Sequence, residues 1–247
     1  MSKYEKQAEN LRQTLGLEWS PIAVTYSDDP DSRGSMDKQP SVCKALEKVL
    51  LKNTIVNLSR DNCLCPGGKH YLGLEVVPPQ ILSMIWAKYH KAFESREMAE
   101  EQLNNYPKPP TQKANFVILS PVGKVTSDPD AVIIFCNPEQ ADRVTGLIAY
   151  SGYEPMLFYP VNNVCFYLAI PVVTGKTHLS FLSRHVREIY HLKVPSSELF
   201  ICAPYKDFEK AVQNIPHSGY GTAKTEVPKK AIKEDKEFHE ILAALNK

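Results

Sequence analysis

A short, wholly apolar segment that leads at once into a helix start constrains the fold of this chain most. Residues 131–136 read Ala-Val-Ile-Ile-Phe-Cys, a β-branched and aromatic run that is typical of a strand buried on both faces. Asn137, Pro138 and Gln140 then combine an N-cap, a proline suited to the first helical turn and a residue that closes a capping box. A buried strand followed directly by a helix predicts a sheet with helices packed against it.

Strand and helix patterns alternate along the rest of the chain. Apolar residues at helical spacing predict helices over Tyr4–Leu15, Ser41–Lys52, Pro78 to the residue before Pro107, Pro138–Tyr150, Leu182–His191, Asp207–Asn214 and Lys236–Leu245. Short β-branched and aromatic runs predict strands over Pro21–Tyr26, Asn53–Leu58, Asn115–Ser120, Met156–Tyr159, Val164–Ile170 and Leu199–Ala203. We therefore expect an α/β to α+β fold with a mixed β-sheet flanked by helices. The 247 residues suit a single domain, placed at 1–221, and a Lys/Glu-rich helical tail at 222–247.

The charge and hydropathy of the chain argue against two classes of function. Twenty-nine basic and 28 acidic side chains leave a net charge of +1, which gives no general attraction for nucleic acid or an anionic membrane. The longest apolar stretch, Val164–Val173, is interrupted by Pro171 and is far shorter than the ~20 residues that span a bilayer. The N-terminus has no apolar signal-peptide segment. We expect a cytoplasmic protein that binds neither nucleic acid nor a membrane.

The six cysteines indicate the chemistry of the chain. Thiols in a reducing compartment rarely form a disulfide framework, so clustered cysteines indicate metal or redox chemistry. Cys63 and Cys65 are one residue apart and precede Pro66, Gly67 and Gly68, whose backbone can turn sharply and approach a cofactor closely. Thiolates suit iron–sulfur clusters, zinc or Cu(I), and cluster sulfurs accept hydrogen bonds from such backbone amides. The segment predicts a metal or redox site.

Further ligands must come from other parts of the chain. Cys43 stands at the start of a predicted helix, where the helix dipole favours a thiolate, and we predict that it joins Cys63 and Cys65. A closed site needs a fourth ligand, for which the sequence offers Cys165, after the turn at 161–164, or His70. The alternative interpretation is that Cys43 and one of the pair are small buried hydrophobic residues.

The remaining two cysteines are assigned to the core. Cys136 ends a predicted apolar strand and Cys202 lies inside another, and free cysteine is among the residues most often buried. No nucleophile elbow, metalloprotease helix motif or dinucleotide fingerprint accompanies the cysteines. The sequence therefore predicts no particular reaction.

The chain resembles the prokaryotic family called domain of unknown function 169 over most of its length, from about Gly16 to Pro204. The resemblance rests on Pro21-Ile-Ala-Val24, Cys43, Asn62-Cys-Leu-Cys-Pro-Gly-Gly-Lys-His-Tyr-Leu-Gly-Leu74, Cys165, Ser180 and Arg184. It implies an intracellular protein of methanogens and other anaerobes. It also implies that the cysteine positions of the family are Cys43, Cys63, Cys65 and Cys165, which favours Cys165 over His70.

Three functions follow as hypotheses. The first is a cysteine-ligated metal-binding protein with an iron–sulfur cluster, or alternatively zinc, next to Gly67 and Gly68. Its role would be redox, sensing or cofactor-related, with a redox protein or a small molecule as partner. The second is thiol/disulfide exchange between Cys63 and Cys65, whose bridge would be strained and labile. The third is a non-enzymatic protein without a cofactor that binds a small ligand or a partner.

Overall fold

The computed structural model describes residues 1–111, 113–152, 155–159, 163–188, 192–221 and 235–245. Strands in these residues form one open six-stranded sheet. The strands are β1 (Ile22–Ser27), β2 (Val56–Ser59), β3 (Phe116–Pro121), β4 (Ala131–Cys136), β5 (His178–Phe181) and β6 (Leu199–Pro204). Their order across the sheet is β2-β3-β1-β4-β6-β5.

The central position predicted for residues 131–136 is confirmed. Strand β4 is buried along its whole length and pairs with β1 on one side and β6 on the other. The predicted class is confirmed as α+β, but every pair of neighbouring strands is antiparallel rather than mixed in direction. Strand direction could not be predicted because a central strand covered on both faces is continuously apolar in either arrangement.

Helices lie along both faces of the sheet and at its ends. They are α1 (Lys3–Leu15), α2 (Val42–Lys52), α3 (Pro66–Tyr71), α4 (Pro79–Met84), α5 (Arg96–Asn105), α6 (Pro138–Ala149), α7 (Val164–Thr174), α8 (Arg184–Glu188), α9 (Tyr205–Asn214) and α10 (Lys236–Leu245). A π-helical turn, Ile85–Tyr89, continues α4, and a 3₁₀ turn, Val122–Lys124, follows β3. None of the described helices combines the length and the hydropathy needed to cross a membrane.

The pleat of the sheet separates two apolar cores. Ile133 and Phe135 of β4 belong to the core that contains residues of α2, α3 and α7. Val132, Ile134 and Cys136 point to the opposite core, which contains residues of α1, α6 and α9. Successive side chains of a strand alternate between faces, so a single buried strand contributes to both layers. The cysteine segment and α7 therefore lie on the same side of the sheet.

Residues 164–170 form a helix, which corrects the predicted strand. Helix α7 begins at Val164, and its first eight residues are all buried. A short apolar run has no polar face that would reveal its period, so strand and buried helix look alike in sequence. The predicted strand Met156–Tyr159 is also corrected, since the segment contributes a single isolated bridge from Leu157 to His178.

The long helix predicted from Pro78 is interrupted. It divides into α4, the π-helical turn and α5, and α5 starts anew where the Ser95 side chain accepts a hydrogen bond from the backbone N–H of Met98. In the predicted C-terminal tail, residues 222–234 lie outside the described part of the chain. Helix α10 confirms the helix predicted there, and all its residues are exposed.

Candidate functional site

Three helix starts converge on one side of the sheet and enclose a small cavity. Cys43 is the second residue of α2, Cys165 is the second residue of α7, and Cys65 is the N-cap of α3. We call the space between them the thiol cavity. Its lining residues are Ser41, Val42, Cys43, Cys65, Pro66, Gly67, Leu82, Ile85, Trp86, Asn163 and Cys165. The fold thus brings together cysteines that are far apart in sequence.

The start of α3 orients the sulfur of Cys65. Pro66 occupies the first turn, where its missing N–H has no helical partner to lose, and the Sγ of Cys65 accepts the N–H of Gly68 at 3.3 Å. Burial raises the pKa of Cys65, while the backbone N–H groups of Gly68, Gly67 and Val42 lower it. A sulfur surrounded by backbone donors is suited to negative charge once a cation replaces its proton.

Gly67 leaves open the space between two of the thiols. A Cβ built on Gly67 would lie 3.9 Å from the Sγ of Cys165, 4.0 Å from the Sγ of Cys65 and 3.8 Å from the Nδ2 of Asn163. These are ordinary van der Waals distances, so an added methyl group would fit and would contact both sulfurs. The missing side chain of Gly67 therefore keeps a cradle open next to Cys65 and Cys165.

Gly68 allows the neighbouring backbone to pack closely. A Cβ on Gly68 would lie 2.7 Å from the Cγ2 of Val42 and 3.1 Å from the Sγ of Cys63. Cys63 itself is fully buried and is not part of the lining of the thiol cavity. Its Sγ lies 4.0 Å from the backbone oxygen of Cys65. Cys63 therefore lies behind the lining, directly next to the thiol cavity.

The four thiols share one electrostatic environment. Burial raises the pKa of Cys165 well above its usual range, and negative charge on Cys65, Cys43 or Cys63 raises it further. Burial is also the largest cause of the raised pKa of Cys43 and of Cys63. It raises the pKa of Cys63 to about 11. Without a bound cation the thiols are protonated at neutral pH. Any metal that they bind must displace protons.

One part of the thiol cavity lining is apolar and has unusual backbone. It consists of Leu82 of α4 and of Ile85 and Trp86 of the π-helical turn. Single π-helical turns are rare and often occur at functional sites. The cavity measures about 30 Å³, which leaves room for about two water molecules. An occupant of several atoms would therefore have to displace this apolar side or turn the cysteine side chains outward.

The thiols do not converge on a single point. Within the described residues, no three His, Cys, Asp or Glu side chains are placed to hold one metal ion. A tetrahedral zinc ion with bonds of about 2.3 Å requires sulfurs about 3.8 Å apart. In a [4Fe–4S] cluster each thiolate binds a different iron, so its four sulfurs are spaced more widely than those around one zinc ion. The described residues show no preassembled site for a single ion.

The other sequence candidates lie elsewhere. Cys136 faces the opposite core, and Cys202 is fully buried in β6, so both core assignments are confirmed. His70 lies in the last turn of α3 and lines a different cavity. The turn predicted before Cys165 includes residues 161 and 162, which lie outside the described residues. Sequence reasoning missed the helix that begins at Val164, although asparagine, the residue at its N-cap position, is a favoured type there.

Comparison with known proteins confirms the resemblance. A family model for domain of unknown function 169, described as an uncharacterised ArCR family, matches residues 10–214. The chain belongs to this family. The matched range covers the whole sheet and every residue of the thiol cavity, so the site lies within the family domain. Comparisons with curated proteins and with solved structures gave no match.

Proposed function

We propose that this protein of the domain of unknown function 169 family holds an iron–sulfur cluster in the thiol cavity. The observation that carries the proposal is that Cys43, Cys65 and Cys165 line one cavity, into which Gly67 projects no side chain. Cys63, immediately behind, is the fourth ligand. Thiolates are the usual ligands of such clusters, and four cysteines complete the set.

The electrostatics of the site support an anionic occupant. The N-termini of α2 and α7, each eleven residues long, lie at the cavity, and a helix N-terminus carries partial positive charge. Among the described residues that line the cavity there is no carboxylate. Four thiolates around a cluster are an anionic assembly, which the helix termini and the N–H groups near Cys65 stabilise. A cluster so held supplies one-electron transfer.

The role that follows is redox, sensing or cofactor-related, in the cytoplasm of an anaerobic prokaryote. The partner would be a redox protein or a small molecule that reaches the cavity. The apolar side formed by Leu82, Ile85 and Trp86 limits access of water and oxygen to the thiols. Shielding of that kind lowers the rate at which a cluster is lost and tunes its potential.

Anaerobic reconstitution of the full chain with iron and sulfide tests the proposal. We expect charge-transfer absorption in the visible range and bound iron and sulfide in similar amounts. Cys65→Ala and Cys165→Ala should lose both while keeping the wild-type far-ultraviolet circular dichroism. Cys136→Ala is the control, because it removes a buried thiol on the opposite face of the sheet.

Two results would contradict a cluster. One is a colourless chain without iron after reconstitution. The other is binding of one zinc ion per chain, with cobalt substitution giving the spectrum of a tetrahedral thiolate site, under conditions in which no iron is retained. The second result would replace the cluster with a single-ion site at the same cysteines.

A further inference from the structure

A second cavity shares one lining residue, Leu82, with the thiol cavity. It is formed by the end of α3, by α4, by the end of α5 and by the segment that follows α5, and it measures about 140 Å³. We call it the His70 cavity. Its lining includes His70, Tyr71, Leu82, Leu103, Tyr106 and Lys108. Leu82 lines both cavities, so a molecule in the His70 cavity would lie one side chain away from the thiol cavity.

Two buried polar atoms at this cavity have no hydrogen-bond partner within the described residues. They are the Nδ1 of His70 and the hydroxyl of Tyr71, whose side chain is only 2% exposed. Buried polar groups are nearly always paired, and each exception requires an explanation. Two exceptions on adjacent residues beside one cavity point to a ligand that supplies the missing partner.

The charge at the cavity is positive. Lys108 is exposed and lines the cavity, and in the described part of the chain no carboxylate forms an ion pair with it. Burial lowers the pKa of His70, and the charge of Lys108 lowers it further, so the imidazole is neutral at pH 7. A neutral imidazole and a phenol can each donate one hydrogen bond, and the ammonium supplies a full positive charge. This set of donors matches a carboxylate.

The volume of the His70 cavity and its apolar lining residues indicate which group the ligand carries besides its carboxylate. Leu82, Leu103 and Tyr106 give the cavity apolar sides. A cavity of about 150 Å³ with such sides holds one benzene ring, which is close to the volume available here. We propose that the His70 cavity binds a small carboxylate with an apolar body about one aromatic ring in size. His70 and Tyr71 donate to the carboxylate, and Lys108 neutralises its charge.

Calorimetric titration of the metal-free full chain with benzoate tests this proposal independently of the metal centre. We expect saturable binding, and clearly weaker binding of benzyl alcohol, which keeps the ring and lacks the charge. Lys108→Gln should weaken benzoate binding about tenfold, the usual effect of losing one charge-assisted contact. Lys176→Gln is the matched control, since Lys176 is exposed just beyond the far end of α7 from Cys165.

Tyr71→Phe separates a binding role from a structural one. The substitution keeps the ring and removes the unpartnered hydroxyl, so the free protein should unfold at a higher urea concentration while benzoate binds more weakly. A purely structural tyrosine would not give these opposite changes. The proposal is overturned if benzoate shows no saturable binding, if benzyl alcohol binds as tightly, or if neither Lys108→Gln nor Tyr71→Phe weakens benzoate.

Discussion

The backbone N–H of Gly68 donates a hydrogen bond to the Sγ of Cys65, 3.3 Å away. A cysteine sulfur thus occupies the N-cap place that serine, threonine, asparagine or aspartate usually fills with oxygen. The bond ties the direction of the Cys65 side chain to the start of α3. The Cys-Pro-Gly-Gly sequence therefore forms a helix start that presents a thiol.

Cys65→Ser separates helix capping from metal binding. A serine hydroxyl caps a helix at least as well as a thiol, so we expect the free energy of unfolding of the metal-free protein to stay within about 1 kcal/mol of wild type. Iron affinity should fall about 10–100-fold or more, since even outer partners of metal ligands matter that much. Urea unfolding and iron analysis after reconstitution measure the two effects. Full iron loading of this variant would exclude Cys65 as a ligand.

Gly67→Ala should stabilise the metal-free protein and impair cofactor loading. Alanine is favoured over glycine in a helix by up to about 1 kcal/mol, and the new methyl group meets its neighbours at no less than 3.8 Å. The methyl would contact the sulfurs of Cys65 and Cys165, where the proposed cofactor would lie. Thermal unfolding should show the gain in stability, and iron analysis after reconstitution should show the loss of loading. Gly123→Ala is the control, because the three atoms nearest to its Cβ all belong to Glu5, far from the cysteines in sequence. Wild-type loading of Gly67→Ala would show that the cradle is not used.

Gly68→Ala should destabilise the fold even without a cofactor. Its Cβ would come within 2.7 Å of the Cγ2 of Val42, an overlap that costs about 1–3 kcal/mol in a packed core. Adding Val42→Ala should restore part of that loss, because it removes the atom that clashes. A double-mutant cycle by urea unfolding measures the coupling. Strictly additive free energies would mean that the clash is relieved by other movements.

The stability of the metal-free protein should fall as the pH rises from about 9 to about 11. Burial raises the pKa of Cys63 from 9.0 to about 11, so in this window the unfolded chain releases a proton that the folded chain keeps. Each such thiol contributes a slope of about 1.4 kcal/mol per pH unit. Cys63→Ala should reduce the slope by about that amount in urea unfolding under reducing conditions. Val49→Ala, a buried change without a titrating group, should lower stability and leave the slope unchanged.

Local sequence signals were sufficient to predict a helix end where the capping residues are sequence neighbours of that helix. Gly16 ends α1 in the left-handed conformation, and Asn137 and Gln140 form both bonds of the capping box of α6. These features depend on neighbouring residues alone, so the sequence correctly predicted the end of α1 at Leu15 and the capping box of α6. The Pro-Gly-Gly segment was expected to be a turn, and it becomes α3 because Pro66 suits a first helical turn and Cys65 caps it.

The sequence alone determined that two thiols one residue apart, Cys63 and Cys65, precede a proline and two glycines, which is the pattern on which the proposed site rests. Only the tertiary structure decided that Cys43, Cys65 and Cys165 line one cavity, because that arrangement depends on packing α2, α3 and α7 on the same face of the sheet. The arrangement also depends on residues 164–170 being a helix and not the predicted strand, because the helix places Cys165 in the first turn of α7. The sequence could not show this, since an apolar run that is buried on every side has no helical or strand periodicity.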